Sequence, residues 1–225
     1  LRSMDAVGGA NNAGSCSSPS TVHHRPDEPT GAVLPPEALE KADLVIAPAL
    51  AVDPQGNRLG RGAGWYDRAL ARRKPACPLI AVCWPWEVLD IDLPAEPHDV
   101  PADGVLTPEG YRRLSSSGLL SWPAGQDTRR KRVPAEERGA AGELLVRRFP
   151  AHMIQDGPTV AAYVSMGSEI ETRPLLRWLR AHGCHVLVPR LGSGLEIGWS
   201  VLDSLESLRS MDAVGGANNA GSCSS

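Results

Sequence analysis

Residues 56–68 combine glycines, arginines and one carboxylate at a spacing that suits phosphate chemistry. Their sequence is GNRLGRGAGWYDR, with glycines at alternate positions from Gly60 to Gly64. Glycine reaches backbone angles that turn successive amide N–H groups toward one anion. Arg58, Arg61 and Arg68 add positive charge, and Asp67 adds a carboxylate of the kind that holds Mg2+. The pattern therefore indicates a nucleoside triphosphate site; a glycine-rich surface turn with solvated arginines is the alternative, since the loop matches neither the P-loop nor the dinucleotide fingerprint.

The flanking residues favour a ligand-binding loop. Ala42–Val52 is a short apolar run that predicts a buried strand, residues 53–56 predict a turn, and Tyr66–Arg72 can begin a helix. Open α/β sheets bind ligands beyond the carboxyl ends of such strands.

Several segments together resemble the 5-formyltetrahydrofolate cyclo-ligase family, also called methenyltetrahydrofolate synthetase. The most characteristic is RLGRGAGWYDR, preceded by DLVIAPALAVDPQGN. The others, which bring the resemblance to most of the chain, are Glu28–Pro29, Leu93–Thr107 (LPAEPHDVPADGVLT), Ala161–Thr172 (AAYVSMGSEIET) and Leu187–Arg190 (LVPR).

The order of these segments differs from the family's. In the family the YVSMGSEIET segment precedes the glycine loop and the LPAEPHD segment closes the protein, whereas here both come before YVSMGSEIET. Residues 1–18 also recur letter for letter as residues 208–225. We interpret the chain as circularly permuted, with the break inside a Ser/Gly/Asn-rich loop; a circular template, overlapping assembly or an engineered linker would each produce the repeat.

Composition fits one α/β domain of a cytosolic protein. The 225 residues carry a net charge of −3, which argues against a general nucleic-acid partner. Neither a membrane span nor a signal peptide is visible, so no membrane partner is expected. The five cysteines have no metal-binding spacing and favour a reducing compartment. We expect a monomer.

The pattern of apolar runs predicts a three-layer α/β domain with a mostly parallel, Rossmann-like sheet. The predicted domain covers residues 30–202, between flexible segments at 1–29 and 203–225. The join between the family's natural ends is expected at Ser115–Gln126. Predicted helices are Pro35–Ala42, Val133–Phe149 and Arg173–His182, and further predicted strands are Leu79–Cys83, Gly104–Leu106, Thr159–Val164 and Cys184–Pro189.

The resemblance implies an ATP-dependent enzyme of one-carbon metabolism. Expelling the oxygen of a formyl amide requires a better leaving group than hydroxide, and ATP supplies one by phosphorylating that oxygen. Attack by N10 of the folate then gives 5,10-methenyltetrahydrofolate, ADP and phosphate. The protein would mainly position the reactants and neutralise phosphate charge, with Mg2+ as cofactor.

The resemblance also implies roles for individual residues. The expected nucleotide-binding residues are Arg58, Leu59, Gly60, Arg61, Gly62, Ala63, Gly64, Trp65 and Tyr66. The expected folate-binding residues are Val164, Glu169 and the overlapping stretch Arg61–Trp65. Arg61 and Tyr66 are the candidate catalytic residues, and Asp67 and Asp99 match the Mg2+ carboxylates.

Local sequence offers other roles for some of these residues. Asp67 would serve as a helix cap or first-turn acid, and Asp99 as a turn residue after Pro97–His98. A lone histidine such as His98, in a proline-rich turn, usually binds no metal. Ser168–Glu171 is also a plausible loop and helix start.

Two departures from the family bear on activity. Ala63 stands where the family has glycine or lysine, and the family's Lys-x-x-x-Arg contact to ATP falls on Leu119 and Pro123. Residues 129–132 (RRKR) would be a substitute, although a solvated basic run is more usual. The alternatives are therefore a catalytically impaired folate- or nucleotide-binding relative, a nonfunctional permuted product, or an unrelated sugar-phosphate isomerase on a similar sheet.

Overall fold

A computed structural model describes residues 27–60, 64–114, 130–191 and 197–209. The predicted join at Ser115–Gln126, nearly all of the terminal repeat and the three central residues of the glycine loop lie outside these ranges.

The described residues form eleven strands and three α-helices, with short 3-10 turns between them. The strands are β1 (Glu28–Pro29), β2 (Leu44–Pro48), β3 (Ala51–Val52), β4 (Arg58–Leu59), β5 (Leu79–Val82), β6 (Gly104–Thr107), β7 (Gly110–Arg113), β8 (Thr159–Ala161), β9 (His185–Leu191), β10 (Ile197–Val201) and β11 (Leu208–Arg209). The helices are α1 (Trp65–Leu70), α2 (Ala135–Arg148) and α3 (Arg173–Ala181), and the 3-10 turns are Pro36–Lys41, Pro85–Glu87, Arg130–Arg132, Ala151–Ile154 and Leu205–Ser207.

Seven strands make the central sheet in the order β10-β9-β8-β2-β5-β6-β7. The five inner strands are parallel, and an antiparallel strand closes each edge. From the central pair β2 and β8, the chain moves outward through β5 and β6 on one side and through β9 and β10 on the other. The strand order therefore reverses between β2 and β8, which is where open sheets of this type bind ligands.

Both faces of the sheet are covered, as the sequence predicts. On one face Leu44 and Ile46 of β2 pack in a core with Leu145 of α2 and Leu176 of α3. On the other face the alternate residues Val45 and Ala47 join a second core. That core includes Leu39 of the 36–41 turn and Leu70 of α1. Alternating residues of a strand point to opposite faces, so one apolar run supplies both cores.

The predicted helices and strands lie where the sequence places them, but β8 covers only the first half of the predicted Thr159–Val164. The Ala42–Val52 run is split into β2 and β3, and the predicted helix at Pro35–Ala42 is a 3-10 turn. The sequence analysis missed β7 and β10. Both are short and mix glycine with polar residues, so neither shows the continuous apolar run of a buried strand.

Residues within the terminal segments that the sequence predicts to be flexible take part in the fold. Glu28 and Pro29 pair antiparallel with Arg209 and Leu208. Arg190 of β9 holds this small sheet, because its guanidinium lies 3.3 Å from the buried Glu28 carboxylate and donates to the Pro29 carbonyl. Parts of the segments assigned to 1–29 and 203–225 are thus tied to the main sheet.

The two edges of the main sheet are occupied differently. On the outer side of β10, Leu34 and Trp199 exchange both backbone hydrogen bonds, at 2.7 and 3.0 Å. At the opposite edge β7 carries Arg112 and Arg113. None of the helices in the described ranges is long and apolar enough to cross a membrane.

Candidate functional site

The candidate site lies at the carboxyl ends of β2 and β8, where the strand order reverses. The chain leaves β2 through the β3–β4 hairpin, which leads into the glycine loop and α1. The chain leaves β8 through residues 162–172, which lead into α3. Because the two strands are parallel neighbours, both loops emerge at one edge of the sheet.

Arg58 occupies the entry to the glycine loop with its guanidinium already engaged. Its Nη2 donates to Oδ1 of Asp67 at 2.7 Å, and its Nε and Nη2 donate to the Val100 carbonyl at 3.3 Å. The Arg58 side chain is only 3% exposed, whereas that of Asp67 is 25% exposed. Arg58 thus fixes Asp67, and the expectation that it binds phosphate directly stays a prediction.

Asp99 lies next to this contact, in a turn. Its Oδ2 accepts the backbone N–H of Glu96 at 2.8 Å, and its own N–H donates to the Glu96 carbonyl. Asp99 therefore has the turn role that the local sequence suggests. Since Arg58 bonds both Asp67 and the carbonyl of the residue after Asp99, the two predicted metal carboxylates belong to adjoining segments.

Glu169 is a buried carboxylate on the loop that follows β8. The residue is 5% exposed, and its Oε2 accepts the backbone N–H of Met166 at 2.8 Å. The Ser165–Thr172 hydrogen bonds close the same loop, with Ser165 N–H donating to Thr172 Oγ1 at 2.9 Å. Val164 is buried at the start of the loop.

Tyr66 links the two loops electrostatically. Burial and the Glu169 carboxylate raise the pKa of its phenol above the usual value, and Arg58 opposes this shift. Burial and Glu169 also raise the pKa of Tyr163. Tyr66 also packs against the core that contains Tyr163 and Ile170, the residue after Glu169, so α1 and the loop after β8 share one core.

The centre of the glycine loop falls outside the described residues. Arg61, Gly62 and Ala63 are in that gap, and Trp65 is described only as the first residue of α1. Gly60 and Leu59 precede the gap. Gly64 has φ +61°, a left-handed conformation that glycine adopts without steric cost, and it immediately precedes α1.

The basic run at residues 129–132 differs from the solvated run that the sequence favoured. Arg130 is buried against Glu87, with Nε 2.8 Å from Oε1 and Nη2 3.0 Å from Oε2. Its Nη2 also donates to the Ala49 carbonyl at 3.0 Å. Lys131 and Arg132 are exposed. The sequence gives no signal for this pair, because Glu87 is distant along the chain and polar residues are usually solvated.

The described residues do not form a closed metal centre by themselves. None of them cluster as three or more histidine, cysteine or acidic side chains able to hold an ion. Mg2+ commonly binds through one or two carboxylates together with substrate phosphates and water. Asp67, partly exposed beside the glycine loop, fits that kind of site.

Residues 9–108 match the model of the 5-formyltetrahydrofolate cyclo-ligase family. This segment holds the glycine loop, Asp67 and Asp99, so the resemblance is confirmed for it. Glu169 and Val164 lie beyond the matched segment.

Curated relatives bearing the cyclo-ligase name, which denotes an enzyme, match the chain over part of its length. The protein of Mycolicibacterium smegmatis is 51% identical over 82 residues, which are 36% of this chain and 42% of that protein. The Escherichia coli K12 protein is 34% identical over 95 residues, 38% of this chain and 45% of that one. The mitochondrial protein of Arabidopsis thaliana is 37% identical over 83 residues, which are 33% of this chain and 30% of that protein. The chain thus spans less than half the length of these relatives.

Proposed function

From the match of residues 9–108 to the 5-formyltetrahydrofolate cyclo-ligase family, we propose that this protein cyclises 5-formyltetrahydrofolate to 5,10-methenyltetrahydrofolate at the expense of ATP. The observation that carries the proposal is the convergence of the two loops at the β2–β8 reversal point. One loop holds the family's glycine motif, and the other holds Glu169.

The chemistry needs close placement of two substrates and no protein nucleophile. The formyl oxygen attacks the γ-phosphorus of ATP, the bond to the bridging oxygen breaks, and ADP leaves. N10 of the folate then bonds to the carbon of the iminium phosphate, the C–O bond to phosphate breaks, and the N10 proton leaves with the phosphate, which gives the methenyl bridge. A protein accelerates such steps by fixing the reacting atoms in line and by compensating charge on the transferred phosphoryl group.

Residues of the glycine loop would serve the nucleotide. Backbone amides from Gly60 to Gly64 would bind the phosphates, and Arg61 would neutralise charge that develops on them. Arg58, engaged with Asp67 and Val100, would keep the loop entry and the 96–100 turn together. Asp67, with Asp99 of the adjoining segment, would hold Mg2+, which neutralises triphosphate charge when bound.

The loop after β8 would serve the folate. The buried Glu169 carboxylate would accept hydrogen bonds from the N–H groups of the pterin, and Val164 would contribute to the pocket wall. Tyr66 and Trp65 of α1 would lie between this loop and the nucleotide. The packing of Tyr66 against the core that contains Val164 and Ile170, together with the effect of the Glu169 carboxylate on the pKa of Tyr66, supports that arrangement.

We also propose that the segments are circularly permuted relative to the family. Support comes from the sheet, in which β8, late in this chain, pairs with β2 from the matched segment. The strands β1 and β11 lie beside one another although they are distant in sequence. A monomer in a cytosolic compartment stays a prediction.

An absorbance assay tests the proposed activity. Purified protein mixed with 5-formyltetrahydrofolate, ATP and Mg2+ should accumulate the absorbance of the methenyl product, and omission of ATP should abolish it. Arg61→Ala should weaken ATP binding by about tenfold or more, because a charge-assisted contact to phosphate is lost.

Arg72→Ala is the matched control, since Arg72 lies in the turn that follows α1 and pairs with Glu37 at the surface at 2.8 Å. ATP binding should be almost unchanged in this variant. If Arg61→Ala and Arg72→Ala weakened ATP binding equally, this result would contradict the proposed nucleotide site. A folded protein without turnover at high concentration would favour the non-catalytic alternative.

A further inference from the structure

A buried ion pair beneath the candidate site is a feature that the proposed reaction does not use. The side chains of Arg130 and Glu87 are 4% and 3% exposed. Apolar residues of similar volume often stabilise a fold as well as a buried ion pair does, whereas breaking the pair is costly. The position of this pair in the fold is therefore more informative than its contribution to stability.

The pair joins the carboxyl ends of two parallel strands. Arg130 donates to the Ala49 carbonyl, directly after β2. Glu87 Oε2 accepts the backbone N–H of Trp84, just after β5, at 2.9 Å. One charged unit thus fixes the start of both connections at the ligand-binding edge of the sheet.

Trp84 extends this network to the third connection at the same edge. The Trp84 ring is buried and stacks on Trp86, with ring centroids 4.9 Å apart and planes at 7°. Its indole Nε1 donates to the backbone carbonyl of Ser168 at 3.3 Å. Ser168 directly precedes Glu169 on the loop that leaves β8. The contact therefore acts on the backbone of that loop one residue before the carboxylate.

We infer that Trp84, held by the Arg130–Glu87 pair, is a positioning residue that sets the location of Glu169 for folate binding. The inference rests on the proposed function for the role of Glu169. It assigns the indole N–H the task of fixing the loop, while Glu169 itself contacts the substrate.

Trp84→Phe tests this role, because it keeps an aromatic ring in the stack and removes the N–H donor. We expect the KM for 5-formyltetrahydrofolate to rise about fivefold to tenfold, as for the loss of one hydrogen bond, with the KM for ATP unchanged. Hydrogen exchange of the intact chain should accelerate by a similar factor in the peptide that covers residues 164–171, and not in the peptide that covers β5.

Trp86→Phe is the matched control, since it shortens the other ring of the same stack and leaves the Trp84–Ser168 hydrogen bond in place. The KM for 5-formyltetrahydrofolate and the hydrogen-exchange rate of the 164–171 peptide should both stay near those of the original protein. Arg130→Lys, which keeps the charge but removes the forked donor, should shift exchange of the 164–171 peptide in the same direction as Trp84→Phe.

The outcomes separate this inference from the proposed function. Faster exchange confined to the 164–171 peptide supports the positioning role even if the protein shows no turnover. The lack of turnover would contradict the proposed activity and not the positioning role. Unchanged exchange in Trp84→Phe, or an equal rise across the whole chain, would overturn the inference. An equal rise of the KM values for 5-formyltetrahydrofolate and ATP in an active Trp84→Phe enzyme would also overturn it.

Discussion

At the scale of single residues, Arg58 and Arg130 have the same organising role although their sequence contexts suggest different ones. Arg58 lies in the family motif, yet its guanidinium is buried against Asp67 and the Val100 carbonyl. Arg130 lies in a basic run, yet it is buried against Glu87. A buried guanidinium with fixed partners organises its surroundings, whereas a ligand contact needs donors that still face the ligand.

Asp67→Asn should separate a metal-binding role of Asp67 from a structural one. Asparagine keeps an oxygen for Arg58 but lacks the charge that Mg2+ requires. We expect the Mg2+ concentration for half-maximal activity to rise about tenfold or more, together with a lower unfolding midpoint, because the buried Arg58 guanidinium loses its charged partner. Glu37→Gln, which alters the exposed pair with Arg72, should leave both values unchanged. A lower midpoint with an unchanged Mg2+ requirement would mean that Asp67 serves only as the partner of Arg58.

At the scale of elements, α2 approaches the Glu169 loop closely because it carries glycine at one position. A Cβ on Gly142 would overlap the Glu171 carbonyl oxygen and would lie 3.3 Å from Cγ of Pro174. Gly139, one turn earlier on the same helix, has no neighbouring atom within 4 Å of such a Cβ. The close approach of α2 to the loop after β8 therefore requires glycine at position 142 and not at position 139.

Gly142→Ala and Gly139→Ala should have opposite effects on stability. At Gly142 the added methyl must push the loop or the helix away, which costs about 1–3 kcal/mol of unfolding free energy. At Gly139 the added methyl meets no neighbouring atom, so the change should stabilise α2 by about 0.5–1 kcal/mol, the usual gain from alanine over glycine in a helix. Urea unfolding measures both, and the same sign for both variants would show that Gly142 is not a packing position.

The sequence predicts elements well where one local pattern decides them. The apolar runs of β2, β5 and β9 are long and buried on both faces, so periodicity and composition identify them. The strand β10 (IGWSV) escapes detection because its glycine and serine dilute the apolar run, and it forms by pairing with β9.

The site is predictable to a lesser degree, since its contacts join distant segments. The motif around Gly60 indicates phosphate chemistry from sequence alone. No local pattern indicates that Arg58 bonds the Val100 carbonyl, or that Trp84 reaches Ser168, because these pairs are 42 and 84 residues apart in sequence. Such contacts follow from the sheet order, which sequence patterns leave open.

At the scale of the whole molecule, the sheet unites the two halves of the chain. The segment 44–113 supplies β2, β5, β6 and β7 to this sheet, and the segment 159–201 supplies β8, β9 and β10. The two halves meet where β2 pairs with β8, through Leu44–Val160 and Val45–Ala161. Stability should therefore depend on this pairing more than on the order in which the halves are connected.

A rearranged gene tests that expectation. A chain of residues 127–225 followed by residues 19–126 restores the family's segment order and keeps one copy of the repeat. We expect the same circular dichroism spectrum, an unfolding midpoint no lower than the original, and cyclo-ligase activity at least as high, because the interior contacts are the same. Failure of this chain to fold, while the original folds, would contradict the proposed permutation.

The two edges of the main sheet, β10 and β7, differ in a way that affects contacts between molecules. An open strand edge invites strand addition by a second chain and, with it, aggregation. On β10 the Leu34 main chain already takes up hydrogen-bonding groups of Trp199. On β7 two adjacent guanidinium groups would face those of any identical strand that docked in register, and their repulsion discourages such docking. Among the described residues, one edge is thus protected by occupancy and the other by charge, so high salt, which screens charge, weakens the protection of β7 alone.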